Sequence, residues 1–503
     1  MLHLNEQTIR RLPKDQAKHK VSSHRRTKIV VSLGPSTDRA KTMSALIEQG
    51  IDVARLNMSH GTRDDHRRRA QLVRDSAAQQ GRAVALLVDL QGPKIRIGGF
   101  ADGSVQLRNG KRFVIDTALN DRAGTEDSVG TSYTDLINDV DTGDRLLLDD
   151  GNIVLQVDKI EGTAISTRVI VGGELSDSKG INKLGGGLSA SALTEKDHED
   201  IRFAAEIGAD YLGVSFVRHG ADVETARMLL RSAGSNAHVV SKIERREALD
   251  KIEEIIVASD VIMVARGDLG VEIGDAEVPG VQKRLISESR AHNTVVITAT
   301  QMMQSMVSSP QPTRAEVSDV SNAVLDGTDA VMLSAESAIG RHPVKVVAAL
   351  DRICLAAERH RSVLVSGHRM ESRFDSVEET IAMATMYTAN HYNVVGILTL
   401  TESGSTAKWM SRISSGIQIF GMTRNEDIER RMALYRGVYP VPFDATQLPR
   451  GDVNRAVVAE LEARGLVAEG DWLIITKGDF SGVKGGTNSM KIVKVGEVTG
   501  ERD

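Results

Sequence analysis

The sequence predicts an α/β protein: a closed (β/α)8 barrel, interrupted by an all-β insertion and followed by an open α/β domain. Three features carry that expectation. Eight short apolar runs alternate with amphipathic stretches, about 100 residues after the third run switch to period-2 alternation, and a second strand–helix pattern begins after residue 366. Near-continuous apolar strands alternating with helices mark a parallel sheet covered on both faces. Eight such repeats suit a closed barrel whose chemistry sits at the strands' C-terminal ends.

In order, the runs are TKIVVSLGP (27–35), DVARLNMSH (52–60), AVALLVDLQ (83–91), ADYLGVSFVR (209–218), AHVVSKIE (237–244), VIMVARGD (261–268), TVVITATQ (294–301) and DAVMLSAE (329–336). Stretches such as RAKTMSALIEQG and HEDIRFAAEIG between them have helical spacing. KRFVIDTA, DRLLLDDGNIVLQVDKI and AISTRVIVGG alternate apolar and polar residues, which is antiparallel β. VEETIAMATMYTANH then reads as a helix, and NVVGILTLT, IQIFGMTR and DWLIITKG as strands. The expected division is an N-terminal tail (1–23), a first barrel segment (24–92), an inserted β-barrel lid domain (93–189), a second barrel segment (190–365) and a C-terminal α/β regulatory domain (366–503).

With 503 residues, 41% hydrophobic and 26% charged, the chain is long enough for several domains with sizeable cores. No apolar run approaches the roughly 20 residues of a membrane helix, and the basic N-terminus lacks the apolar segment of a secretory signal. A formal charge of −5 argues against nucleic acid as the main partner. The single cysteine, Cys354, forbids an intrachain disulfide and suits a reducing, cytoplasmic setting; its apolar helical neighbours mark a packed thiol.

Polar residues collect at the strand ends: Arg55, Asn57, Ser59 and His60 at the second, Asp89 with Lys94 and Arg96 after the third, Ser215 and Arg218 at the fourth, Lys242 and Glu244 at the fifth, Arg266 and Asp268 at the sixth, Thr298 and Thr300 at the seventh. Glu244 and Asp268 would share one hard divalent ion, because Mg²⁺ takes one or two carboxylates plus substrate oxygens and waters. Arg55 and Lys242 would flank an anionic group beside it. That is equipment for phosphoryl transfer, where catalysis is mostly positioning and charge stabilisation. A helix beginning at Gly267-Asp268 would offer free N–H groups to a carboxylate. Taken singly, Lys-x-Glu is usually a solvated strand end and the Asp of a Gly-Asp pair usually a turn or cap; the weight comes from six strand ends polar in the same direction.

VARLNMSHG, VDLQGPKIR, SKIE, IMVARGDLGVEIG, VITATQMMQSM and PTRAEVSDVSNAVLDGTDAVMLSAE resemble the motifs of the pyruvate kinases, and the resemblance runs nearly the whole chain. It implies phosphoryl transfer from phosphoenolpyruvate to ADP with Mg²⁺ or Mn²⁺. By resemblance Arg55 would hold the phosphate, Lys242 would stabilise the transferring phosphoryl group, Glu244 and Asp268 would bind the metal, and the Gly267–Asp268 backbone would receive the carboxylate. Thr300 would assist protonation of the enolate through a water, and Ser215 would line the substrate site. Pro35, Asn57, His60, Arg96 and Lys179 match positions near the nucleotide, and closure of the inserted domain would carry Lys179 over the phosphates. PTRAE (312–316) and NAVLDG (322–327) are family signatures as well, residue by residue more suited to packing than to chemistry.

Many members hold K⁺ with Asn and Ser of the second strand end and Asp and Thr of the third. Asn57, Ser59 and Asp89 match, but Leu90 replaces the Thr, and Lys94 stands where those members carry Glu. Leucine removes an oxygen ligand, and the ammonium supplies a fixed charge worth roughly 4 kcal/mol about 4 Å from a phosphate oxygen at an effective dielectric near 20. The expectation is a K⁺-independent enzyme; the rival is a solvated Lys94 with weak K⁺ at Asp89. Further on, TESGST (401–406) precedes a helix, and its hydroxyls and N–H groups suit a phosphate. By resemblance Thr401, Ser403, Gly404, Ser405 and Thr406 would receive a sugar-phosphate or nucleotide effector under the KGGTN turn (484–488), with Glu402 turned away; the bland alternative is a capped helix. The resemblance also implies a homotetramer. KGDFSGVKGG is no dinucleotide fingerprint. Two alternatives remain: a metal-dependent aldolase or lyase acting on pyruvate-type substrates, which leaves the insertion and Lys179 unexplained, and a silent sugar-phosphate sensor, disfavoured by the presence of Lys242, Glu244, Asp268 and Thr300.

Overall fold

The structure, a computed structural model, describes residues 25–360, 363–364, 373–479 and 482–497. The expected tail (1–23) and the expected boundary at 365/366 lie outside the described residues.

All eight apolar runs become barrel strands: Lys28–Ser32, Val53–Asn57, Ala85–Asp89, Tyr211–Val214, His238–Ile243, Val261–Ala265, Val295–Ala299 and Ala330–Leu333. They pair in parallel, each with its neighbour in sequence, and the first closes on the eighth through Lys28 opposite Ala330. Both faces are buried, as the near-continuous apolar composition requires: one set of side chains packs on the surrounding helices, and the other fills the barrel. Threonines start several of the helices on the catalytic side. Thr62, Thr194 and Thr313 accept from the N–H groups of Asp65, Asp197 and Glu316, whose carboxylates return to the threonine N–H groups. These capping boxes fix how each loop leaves its strand. Cys354 is buried in the helix Pro343–Ala357, where burial pushes its thiol up to about 12.

Between the third and fourth barrel strands a six-stranded sheet runs in the order Ile181–Lys183, Arg145–Leu148, Ile153–Glu161, Ala164–Val171, Arg112–Asp116, Ser128–Gly130, beside a pair formed by Ser104–Gln106 and Glu174–Ser176. Its ladders are antiparallel except the last. The two edges do not join in a continuous ladder. Single bridges from Arg96 to Gly180 and from Ile97 to Thr131 span the gap, so the segment after Pro93 stitches the insertion together. Its own core is separate from the barrel's.

The last sheet has the order Val438–Pro442, Gln418–Thr423, Gly396–Leu400, Trp472–Gly478, Thr487–Lys494, parallel except for the final strand. It docks on the N-terminal face of the barrel, and one apolar cluster runs from the barrel interior (Val30, Tyr211, Met263) into this sheet and its helices (Met386, Ile419, Ile474). The Tyr211 hydroxyl donates to the Arg431 carbonyl at 2.7 Å. The opposite face of the barrel is left for chemistry. Among the described residues, no helix is long and apolar enough to cross a membrane.

Candidate active site

At that face, side chains from the first five strands converge on Lys242. Its ammonium donates to Ser215 Oγ at 2.7 Å and lies 2.9 Å from Glu244 Oε1 and 3.3 Å from Asp89 Oδ1. Arg55 presses on the same aspartate, with Nε 2.6 Å from Asp89 Oδ2, and its Nη1 donates to Ser32 Oγ at 2.8 Å. Ser215 Oγ donates to the Leu90 carbonyl at 2.8 Å. Two glycines make the approach possible. A Cβ on Gly213 would stand 2.9 Å from Asp89 Oδ1, and one on Gly92, at φ 66°, would stand 2.8 Å from Ser215 Cβ.

Asp89 is fully buried and Glu244 is 2% exposed, so the charges here are strongly coupled. Burial alone would depress Lys242, but Asp89 and Glu244 outweigh it and hold the ammonium above its usual range. Burial likewise opposes ionisation of Asp89, and Lys242 and Arg55 overcome it. Glu244 goes the other way. Burial raises it, Lys242 opposes, and the neighbouring Asp268 raises it further. Two carboxylates that repel across a shared space form a donor set suited to a hard cation. Among the described residues there is no cluster of three His, Cys, Asp or Glu, so an ion here would rest on these two carboxylates, substrate oxygens and water.

The helix Arg266–Ile273 begins directly after the sixth strand, as expected. The Gly267 N–H is not free, however: it donates to Thr300 Oγ1 at 2.8 Å, and that hydroxyl donates to the Ala299 carbonyl at 2.7 Å. Thr300 and Gln301 hold φ values of 65° and 54°, a left-handed turn that β-branched Thr rarely adopts. Arg266 over-determines that turn: it donates to the Ala299 and Thr300 carbonyls at 3.2 and 2.7 Å and pairs with Asp319 at 2.7 Å. It is a positioning residue, and sequence reasoning gave it no such role. Thr298 does not face the mouth. It is fully buried and donates to Thr328 Oγ1 at 3.0 Å, because alternation along the strand turns it toward the helices. Glu316 of PTRAE accepts from Ser305 N at 2.6 Å, tying the loop after the seventh strand to its helix.

The remaining predicted residues ring this centre without joining the Lys242 cluster. Pro35 opens the short helix Pro35–Thr37 and is exposed; Asn57 Oδ1 accepts from Ser59 N at 3.1 Å; His60 is exposed. Leu90 is 1% exposed and supplies no side-chain ligand. Arg96 Nη1 donates to the Ser178 carbonyl at 2.7 Å, and Lys179 pairs with Asp149 at 2.7 Å within the insertion. Lys94 is half-buried without an ion-pair partner among the described residues, in a cleft shared with Asp268 and Glu272 between the barrel mouth and the insertion. Lys94 and Arg96 do share a side, since Ile95 and Ile97, which alternate with them, are buried.

That cleft is bridged by contacts the sequence did not announce. Arg245 donates to the Leu188 carbonyl at 2.6 Å and lies over the Phe216 ring; Glu272 accepts from Arg246 N at 2.8 Å, and its carbonyl accepts from Gly185 N at 3.1 Å. Burial lifts the Glu272 carboxyl to about 7. The unfolded chain releases that proton near 4.5, so the stability it lends is full below that pH, falls as pH rises and is gone above about 7. Glu272→Gln is therefore expected to exceed the parent's stability at pH 8 by about 2–3 kcal/mol, the gap closing toward pH 5. Urea midpoints across that range check it, and a pH-independent gap would refute it.

In the C-terminal sheet, Thr401, Ser403 and Thr406 line a cavity with Lys477 and Thr487, closed by the turn through Gly485 and Gly486. Gly404, at φ 79°, caps the helix Ser405–Ser411 and donates to Thr401 Oγ1 at 2.9 Å, and the Ser403 and Ser405 hydroxyls are 2.7 Å apart. Glu402 is not turned away as expected: it lines the same cavity, where it pairs with Arg424 at 3.3 Å and accepts from Asn425 Nδ2 at 3.1 Å.

Residues 24–347 match the family model described as the pyruvate kinase barrel domain, and residues 379–493 the one described as the pyruvate kinase alpha/beta domain. The chain is 54% identical to pyruvate kinase II of Salmonella typhimurium over 475 residues, covering 94% of this chain and 99% of that protein. Identity to a pyruvate kinase of Haemophilus influenzae is 53% over 90% of this chain and 96% of the relative, and to one of Corynebacterium glutamicum 41% over 94% and 98%. These matches favour a kinase over the lyase and sensor alternatives. With the closed parallel barrel and its β insertion inside the first matched region and the C-terminal α/β sheet in the second, the chain belongs to the pyruvate kinase family and is a phosphotransferase.

Proposed function

We propose that the chain transfers the phosphoryl group of phosphoenolpyruvate to ADP, giving pyruvate and ATP, with a divalent ion held by Glu244 and Asp268. The observation that carries this reading is Lys242, a buried ammonium kept charged by Asp89 and Glu244 beside the Arg55 guanidinium. Mg²⁺ or Mn²⁺, when bound, would neutralise charge on the substrate's phosphoryl, carboxylate and enolate oxygens. Arg55, preset by Ser32 and Asp89, would hold the phosphoryl group. Lys242 would follow that group as its bond to the enol oxygen breaks and a bond to the terminal phosphate oxygen of ADP forms. The enolate then takes a proton at its methylene carbon from a water beside the Thr300 hydroxyl. Ser215 orients Lys242, and the N–H groups of Gly267 and Asp268 are the candidates for the carboxylate; Gly267 must first release Thr300 Oγ1.

Pro35, Asn57 and His60 would border the nucleotide, with Arg96 and Lys179 brought from the insertion. Lys179 would leave Asp149 on closure, exchanging a half-exposed ion pair for substrate phosphates. The cavity at Thr401, Ser403 and Thr406 suits a phosphorylated effector, since hydroxyls, Arg450 and Lys477 line it and the lining carboxylate of Glu402 is paired with Arg424; Gly404 and Ser405, at the start of the adjoining helix, would join it only through movement of that turn. A cytoplasmic homotetramer is the assembly and setting we assign with it.

We place the enzyme in the K⁺-independent branch. Leu90 offers no side-chain oxygen at the site formed by Asn57, Ser59 and Asp89, Asp89 is already ion-paired with Arg55 and Lys242, and Lys94 has no ion-pair partner among the described residues in the cleft at the mouth. ATP formation from phosphoenolpyruvate, ADP and Mg²⁺ should proceed fully in K⁺-free Tris buffer and gain little from KCl. The double variant Leu90→Thr/Lys94→Glu should lose on the order of 100-fold without K⁺ and recover with it. Strong K⁺ activation of the parent would keep the kinase and remove this role from Lys94; no ATP in either buffer would refute the reaction itself.

A further inference from the structure

Where the C-terminal sheet docks on the barrel, four arginines gather: Arg26, Arg290, Arg412 and Arg436. Two have carboxylates. Arg26 Nε lies 3.5 Å from Glu358, and Arg412 Nη1 lies 2.7 Å from Asp329. The other two have none among the described residues. Arg290 donates only to neutral acceptors, the Arg412 carbonyl at 2.9 Å and Ser414 Oγ at 3.1 Å. Arg436 is 8% exposed, and its Nη2 is buried without a hydrogen-bond partner; only its backbone N–H reaches Asp329, at 3.3 Å. Burial lowers the Arg436 guanidinium to about 10, and Arg26 and Arg290 add to the shift against the opposing Glu358 and Asp329.

Four guanidiniums against two carboxylates, Glu358 and Asp329, leave this desolvated junction short of negative charge, and a buried ion persists where something compensates it. A void of about 20 Å³ lies among Arg26, Arg290, Arg436, Ser414 and Ser415. It has room for about one water or one monatomic ion, and none for a phosphate ester. A water would satisfy the hydrogen bond of Nη2 yet leave the excess positive charge of the junction in place; an anion answers both. We propose that this void binds a halide-sized inorganic anion, held by the guanidiniums of Arg436 and Arg290 and by the Ser414 hydroxyl, and that its occupancy strengthens the docking of the C-terminal sheet on the barrel.

Thermal unfolding of the full chain in sodium bromide and in sodium gluconate, at equal ionic strength, tests this, together with anomalous scattering from bromide-soaked crystals. The parent should melt about 3 °C or more higher in bromide, with an anomalous peak beside Arg436 Nη2. Arg436→Met and Arg290→Gln should each lose that increment, and Arg436→Met should be no less stable than the parent in gluconate, having shed an uncompensated charge. Sodium phosphate should behave as gluconate does. The proposal is overturned by a water in place of the peak, by an equal bromide increment in parent and variants, or by a phosphate effect matching that of bromide.

Discussion

Lys242→Met is expected to lower kcat by on the order of 10³-fold or more while leaving the fold intact. The size of the effect follows from placement. The ammonium is fixed by Ser215 at 2.7 Å and Glu244 at 2.9 Å, so it is aimed before substrate arrives and needs no reorganisation when charge moves to the phosphoryl oxygens. Methionine keeps the length and loses the charge. The fold should tolerate this because Asp89 keeps Arg55, and Glu244, already raised by burial and Asp268, can take up a proton instead of remaining a bare buried anion. The loss should fall on kcat more than on KM, since Arg55 and the carboxylate site still bind substrate. ATP formation at saturating substrates, beside a circular dichroism spectrum matching the parent's, decides the matter. Activity within tenfold of the parent would remove Lys242 from the transfer step.

The barrel was legible in the sequence because each strand is buried on both faces and therefore reads as an unbroken apolar run with one abrupt polar end. The residues at those ends, Arg55, Asp89, Ser215, Lys242, Glu244 and Asp268, were legible for the same reason. What binds to what was not. The Ser32–Arg55–Asp89–Lys242 chain joins four strands, and nothing local in VARLN or SKIE says that Arg55 and Lys242 meet on one aspartate. Arg266 reads as one more site cation until its partners, Asp319 and the carbonyls beyond Ala299, are brought together by the fold. Thr298 was misplaced because alternation assigns a face only once the strand's register to the helices is known. A signal for Arg245 and Glu272 did exist: charged residues directly after SKIE and inside GDLGVEI, in a loop and a helix that face the insertion.

The least legible feature, the charged junction beneath the barrel, carries the largest expected effect on stability. Asp329→Ala should destabilise the protein by about 3–5 kcal/mol, the usual consequence of removing one partner of a buried ion pair. Asp329 is 1% exposed and accepts from Val296 N at 2.9 Å, from both terminal nitrogens of Arg412 and from Arg436 N. Its loss would strand Arg412, which is fully buried, beside Arg290 and Arg436. The damage thus comes less from a missing attraction than from an orphaned cation, and this distinction can be measured. Arg412→Leu added to Asp329→Ala removes that cation along with its partner, so the double variant should be more stable than Asp329→Ala alone, although it carries one more substitution. Urea midpoints of the parent, the single variants and the double variant complete the cycle. A double variant as unstable as the sum of the two singles would mean that Asp329 and Arg412 act independently, through Val296 and the Thr294 carbonyl that Arg412 also reaches at 2.9 Å, and that charge compensation does not hold the C-terminal sheet on the barrel.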